Sequence, residues 1–111
     1  MTPWTLHQAV ELCTKVEQIC PAYGCHVALT GGCLYKSGPR KDADLLFYRI
    51  RQADRVDVIG LIAALKVIGI EADKYQPCNP QYPGAWVIKA RYGVQTLDLL
   101  FPDPSAPARA A

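Results

Sequence analysis

Thr30-Gly31-Gly32-Cys33-Leu34-Tyr35-Lys36-Ser37-Gly38-Pro39-Arg40-Lys41-Asp42-Ala43-Asp44-Leu45-Leu46-Phe47-Tyr48 is the stretch on which the reading of this chain turns. It sets a glycine pair at the end of an apolar run, then a short basic turn, then two aspartates one residue apart at the head of a second apolar run. Glycine allows backbone N–H groups to approach a ligand closely. Alternate residues of a strand share a face, so Asp42, Asp44, Leu46 and Tyr48 point one way and Ala43, Leu45 and Phe47 the other. Paired carboxylates beside a glycine turn are the materials of phosphate and metal chemistry.

Working outward, His26 to Thr30 reads as a short strand that stops at the glycine pair, without clean alternation, as expected when both faces are covered. Cys33 to Ser37 leaves room for about one helical turn before Gly38-Pro39 ends it. The second strand is expected from Ala43 to Ile50. Ahead of these lies an amphipathic helix from about Thr5 to Cys20. Thr5 and Gln8 have capping-box spacing, and Leu6, Ala9, Val10, Cys13, Val16 and Cys20 recur at helical intervals.

A second helix is expected from Asp54 or Arg55 to Ile68, with Asp54 as N-cap. Its main stripe is Val58, Leu61, Ile62, Leu65 and Ile68, and Val56, Ile59 and Val67 leave it little polar surface. Glu71 to Gln76 reads as a short edge strand, and Pro77 to Gly84, with three prolines, as a loop. Trp86 to Arg91 and Val94 to Phe101 flank Tyr92-Gly93 as a hairpin. The expected organisation is one domain over residues 1–101 and a disordered tail, rich in proline and alanine, over residues 102–111. The fold class is α+β, a small mixed sheet packed against helices.

Asp98 stands alone among apolar neighbours in Thr96-Leu97-Asp98-Leu99-Leu100. A carboxylate in such a strand needs a partner. A divalent cation supplies one, because Mg²⁺ takes oxygen ligands from one or two carboxylates, phosphate oxygens and waters. Asp42, Asp44 and Asp98 are thus the candidate metal and catalytic residues.

Composition narrows the field. A net charge of +2 over 111 residues carries no polybasic arm for nonspecific nucleic-acid binding. No apolar run is long enough to span a bilayer, and the N-terminus lacks the layout of a signal peptide, so a cytoplasmic protein is expected. The five cysteines contain no Cys-x-x-Cys pair and read as unbridged thiols, and His7 and His26 lack a second histidine at ligand spacing.

Leu29-Thr30-Gly31-Gly32, Lys41-Asp42-Ala43-Asp44-Leu45-Leu46 and Leu97-Asp98-Leu99 together resemble the nucleotidyltransferase fold of the DNA polymerase beta superfamily. Its signature is a Gly-Gly or Gly-Ser pair ending a strand, an Asp-x-Asp after a short helix, and a third acidic residue on a later strand. The resemblance implies transfer of a nucleoside monophosphate from an NTP to a hydroxyl of RNA, protein or a small molecule, with release of pyrophosphate. By the same likeness Gly31 and Gly32 approach the phosphates, and Asp42 and Asp44 hold Mg²⁺ or Mn²⁺. Asp98 holds a second metal and activates the acceptor. Lys36, Arg40 and Lys41 lie near enough in sequence to steady phosphate charge.

Larger relatives carry a second domain, and this sequence stops soon after Asp98. The acceptor surface is therefore expected from another chain or a macromolecular substrate; the alternative is a non-catalytic module that binds a nucleotide or a protein partner. The apolar second helix, with Trp4 and Trp86 as anchors, leaves room for a homo-oligomer or partner interface.

Overall fold

A computed structural model describes residues 2–73, 76–79 and 82–102, apart from the side chains of residues 34, 35, 76–79 and 82–86. The expected tail, from residue 103 onward, lies outside the described residues.

Helix α1 spans Leu6–Ile19 and begins where the sequence says it should: Thr5 accepts from the Gln8 N–H while the Gln8 side chain accepts from the Thr5 N–H. Its buried face is Ala9, Leu12 and Val16. Leu6 and Val10, expected in the stripe, are 50% and 46% exposed, because they lie off the face that Ala9, Leu12 and Val16 bury. A 3₁₀ turn, Cys20–Tyr23, leads into β1 (Cys25–Thr30), and a single turn of helix, α2 (Gly32–Tyr35), separates it from β2 (Asp42–Arg49).

Helix α3 covers Val58–Val67, shorter than expected. Its N-cap is Asp57, which accepts from the Gly60 N–H, whereas Asp54 lies outside the helix. Strands β3 (Ile70–Ala72), β4 (Gln76–Asn79), β5 (Tyr82–Tyr92) and β6 (Gln95–Phe101) follow. Thus part of the expected proline-rich loop is strand: β4 and β3 both pair with β5, along successive stretches of the same strand. Gly93, with φ +64°, opens the turn between β5 and β6, which is Gly93-Val94 rather than Tyr92-Gly93.

The sheet order is β1-β2-β6-β5-β3, with β4 also on β5. Among the described residues, β2 and β6 form the one parallel pair. Ala43, Leu45, Phe47, Ile88, Ala90, Leu97, Leu99 and Phe101 form the buried face beneath α1 and α3, and the rings of Phe47 and Phe101 stack 4.7 Å apart. The opposite face carries the less buried alternates, Tyr48 and Val87 among them. Strands β2 and β6 alternate, as strands covered on one face do, whereas β1, expected to be covered on both faces, buries Cys25 and Val27 and leaves Ala28, Leu29 and Thr30 half-buried. This is the α+β architecture of a small mixed sheet against helices.

Trp4 anchors the N-terminal segment. It exchanges backbone hydrogen bonds with Arg40, its indole N–H donates to the Thr96 carbonyl at 2.6 Å, and its ring stacks on Tyr92. At 1% exposure it is core and cannot serve as a partner anchor; the Trp86 side chain lies outside the described residues. Among the described residues the exposed large apolar side chains of α3 are Ile59 and Val67.

Candidate functional site

Strand register builds the site. Thr30 lies opposite Asp44, Asp44 opposite Asp98, and Asp98 opposite Lys89, so one row of side chains crosses β1, β2, β6 and β5 on the face away from the helices. Asp42 sits one step along, opposite Thr96. Parallel pairing of β2 with β6 is what brings Asp44 and Asp98 together, although 53 positions of sequence separate them.

The glycine pair closes one end of this row. Gly31 has φ +72°, and a Cβ there would fall 1.9 Å from Oδ2 of Asp44. Only glycine allows both the left-handed backbone and the carboxylate against it. A Cβ at Gly32 would meet Nε of Arg40 at 2.6 Å, which places the Arg40 guanidinium over the same turn. Lys36 is exposed and lines a cavity of about 300 Å³ with Thr5, Cys33 and Ser37. Lys41 is exposed, and its carbonyl accepts from the Thr96 hydroxyl at 3.1 Å. The basic residues thus divide: Arg40 joins the glycine turn, whereas among the described residues no ion pair links Lys36 or Lys41 to Asp42, Asp44 or Asp98.

The carboxylates are not equivalent. Burial raises the Asp44 pKa to about 6, helped by its contact with Asp98 and by the charges of Asp98 and Asp42, and Lys89 opposes the rise. Asp42 accepts a hydrogen bond from the Thr96 hydroxyl. Nζ of Lys89 lies 2.6 Å from Oδ1 of Asp98. This oxygen is buried and has no aligned hydrogen-bond donor, so the ammonium neutralises it as a charge without satisfying it as an acceptor. Contact with Asp98 raises the Lys89 pKa in turn, against the lowering effect of burial.

The expected meeting of three carboxylates is therefore only partly present. Among the described residues no three His, Cys, Asp or Glu side chains form a metal-binding group. Asp44 and Asp98 are brought together, and Asp42 flanks them on Thr96. Two adjacent carboxylates, one with an acceptor lacking a donor, still suit Mg²⁺, which takes one or two protein carboxylates and completes its shell with water and phosphate oxygens.

Lys89 and Thr96 are the residues that sequence reading missed. A hairpin turn at Tyr92-Gly93 would have set Val87 opposite Asp98; moving the turn by one residue, to Gly93-Val94, sets Lys89 there instead. The recoverable signal was the register of a two-residue hairpin, in which the turn position fixes every cross-strand pair.

Neither a family model nor a curated protein matches this sequence. Among solved structures, the chain is similar to the Cid1 poly(U) polymerase crystallised with Mg and 3'-dATP, with a TM-score of 0.55 and 18% identity. The similarity covers 83% of this chain and 27% of that one, so this chain spans about a quarter of the polymerase. At this identity the likeness is one of fold, an α+β fold that this chain shares with part of that polymerase.

Proposed function

We propose that this chain is a Mg²⁺-dependent nucleotidyltransferase domain that transfers a nucleoside monophosphate from an NTP to a hydroxyl acceptor. The observation that carries the reading is the registered Asp44–Asp98 pair beside Gly31, in a fold shared with a nucleotide-binding polymerase.

Asp44 and Asp98 would hold the metal ion, with Asp42 as the third ligand once Thr96 releases it. A bound Mg²⁺ supplies charge neutralisation of the triphosphate and orientation of the α-phosphorus for in-line attack. The protein's own part is positioning. Gly31 and Gly32 leave the backbone open to the phosphates, Arg40 places a guanidinium over that opening, and Lys36 and Lys41 add positive charge nearby. Asp98, on the strand beside Asp44, would accept the acceptor hydroxyl's proton. The apolar sheet beneath fixes all of these on strands rather than on loops. RNA is the acceptor class that the polymerase likeness favours.

Incubation with labelled NTPs, Mg²⁺ or Mn²⁺ and a mixed RNA acceptor pool tests the reading. Labelled RNA that disappears in Asp42→Ala and Asp44→Ala supports it; no product with any NTP, or product unchanged in both variants, refutes catalysis.

The ion pair between Lys89 and Asp98 favours a second reading, a nucleotide- or partner-binding module without turnover, because an engaged carboxylate is a poor base. That reading expects NTP binding without product, and binding unchanged in Asp98→Asn.

A further inference from the structure

We propose that Lys89 is an internal counter-cation that holds Asp98 and limits the nucleotide-free carboxylate site to one divalent ion. The inference rests on the metal reading above and concerns how many ions the site takes. Lys89 is directly opposite Asp98 in the antiparallel pairing of β5 with β6, on the same face, with Nζ 2.6 Å from Oδ1. That oxygen is buried and otherwise without a partner, so the ammonium stands where a cation bound to Asp98 would stand.

The neighbouring cation on β5, Arg91, is turned to the sheet edge, with Nη2 4.0 Å from both Glu71 and Asp73. Among the described residues Lys89 is therefore the cation paired with the carboxylate row. Lys89 offsets carboxylate charge at the Asp98 end of the row, and a second divalent ion bound there would have to displace the ammonium. The Lys89 side chain is 66% exposed and can swing into solvent, whereas that of Asp98 is 17% exposed and fixed on its strand. Displacement is thus open to an event that brings extra negative charge, such as a triphosphate.

An opposite charge held against a carboxylate competes with any other cation for it. Mn²⁺ binding to the nucleotide-free protein, counted by titration calorimetry and by electron paramagnetic resonance of free Mn²⁺, is the test. Wild type is expected to bind one ion. Lys89→Met and Lys89→Gln are expected to bind a second ion or to bind the first about tenfold more tightly. Lys89→Arg should behave as wild type, and the gain should vanish when Asp98→Asn is added. Thermal melts establish that each variant is folded, and the exposed side chain makes two neutral replacements tolerable. Equal or weaker Mn²⁺ binding by both neutral variants overturns the role of Lys89 and leaves the metal reading standing. No Mn²⁺ binding by wild type or any variant overturns the metal reading itself and this inference with it.

Discussion

Replacing Asp44 with asparagine should stabilise the metal-free protein while removing a residue of the candidate site. Asp44 is held beside Asp98 by the β2–β6 register, and its pKa rises from the ordinary 3.8 to about 6, mainly through burial. A carboxyl whose pKa is higher in the folded state binds more protons folded than unfolded over that interval. Folding stability from this group is therefore present at pH 4 and is lost as the pH rises through about 6. The full shift corresponds to about 3 kcal/mol, and solvent screening at this partly exposed position reduces it to about 1–2 kcal/mol. Asparagine keeps the shape and carries no charge. In the presence of a chelator, Asp44→Asn should melt about 5–10 °C above wild type at pH 8 and level with it at pH 4. Thermal denaturation followed by circular dichroism reads both. No gain at pH 8, or a gain undiminished at pH 4, would refute a carboxylate whose charge is penalised by burial and by its acidic neighbours at this position.

The two site glycines should separate in their tolerance. Gly31→Ala forces a Cβ into the Asp44 carboxylate at a left-handed backbone position and should cost about 2 kcal/mol or more in chemical denaturation. Gly32→Ala meets the movable Arg40 side chain and should cost less; the reverse order would show that the turn is built differently. At the start of α3, Asp57→Ala should cost about 1 kcal/mol through loss of the cap to Gly60, with Asp54→Ala close to neutral. Equal losses at both positions would restore the longer helix.

Local rules made much of the fold legible. The Thr5–Gln8 capping box, the glycine and proline stops, and the period of apolar residues placed α1, β1, β2 and β6 within a residue or two. The errors fall where partners override local preference. Asp54 and Asp57 are equally good caps by composition, and the choice was made by the Asp57 N–H donating to the Tyr23 carbonyl, which ties the helix start to the 3₁₀ turn. Proline-rich sequence around Pro77 suggested a loop, yet β4 finds an open edge on β5 that accepts it. Trp4 looked like a surface anchor because nothing local said that Arg40 and Thr96 would receive it.

For the candidate site, the sequence by itself determined which residues share a strand face. Alternation alone puts Asp42 with Asp44, and the glycine pair declares a turn that needs no side chain. Cross-strand identity was beyond it, since pairing depends on topology and on where a hairpin turns. The tertiary structure decided that Asp44 meets Asp98 through a parallel pairing, that Thr96 donates a hydrogen bond to Asp42, and that Lys89 stands against Asp98. The physical reason is register: a turn moved by one residue changes which side chains face each other across strands while the apolar pattern still fits the core, so the pattern alone cannot choose between them.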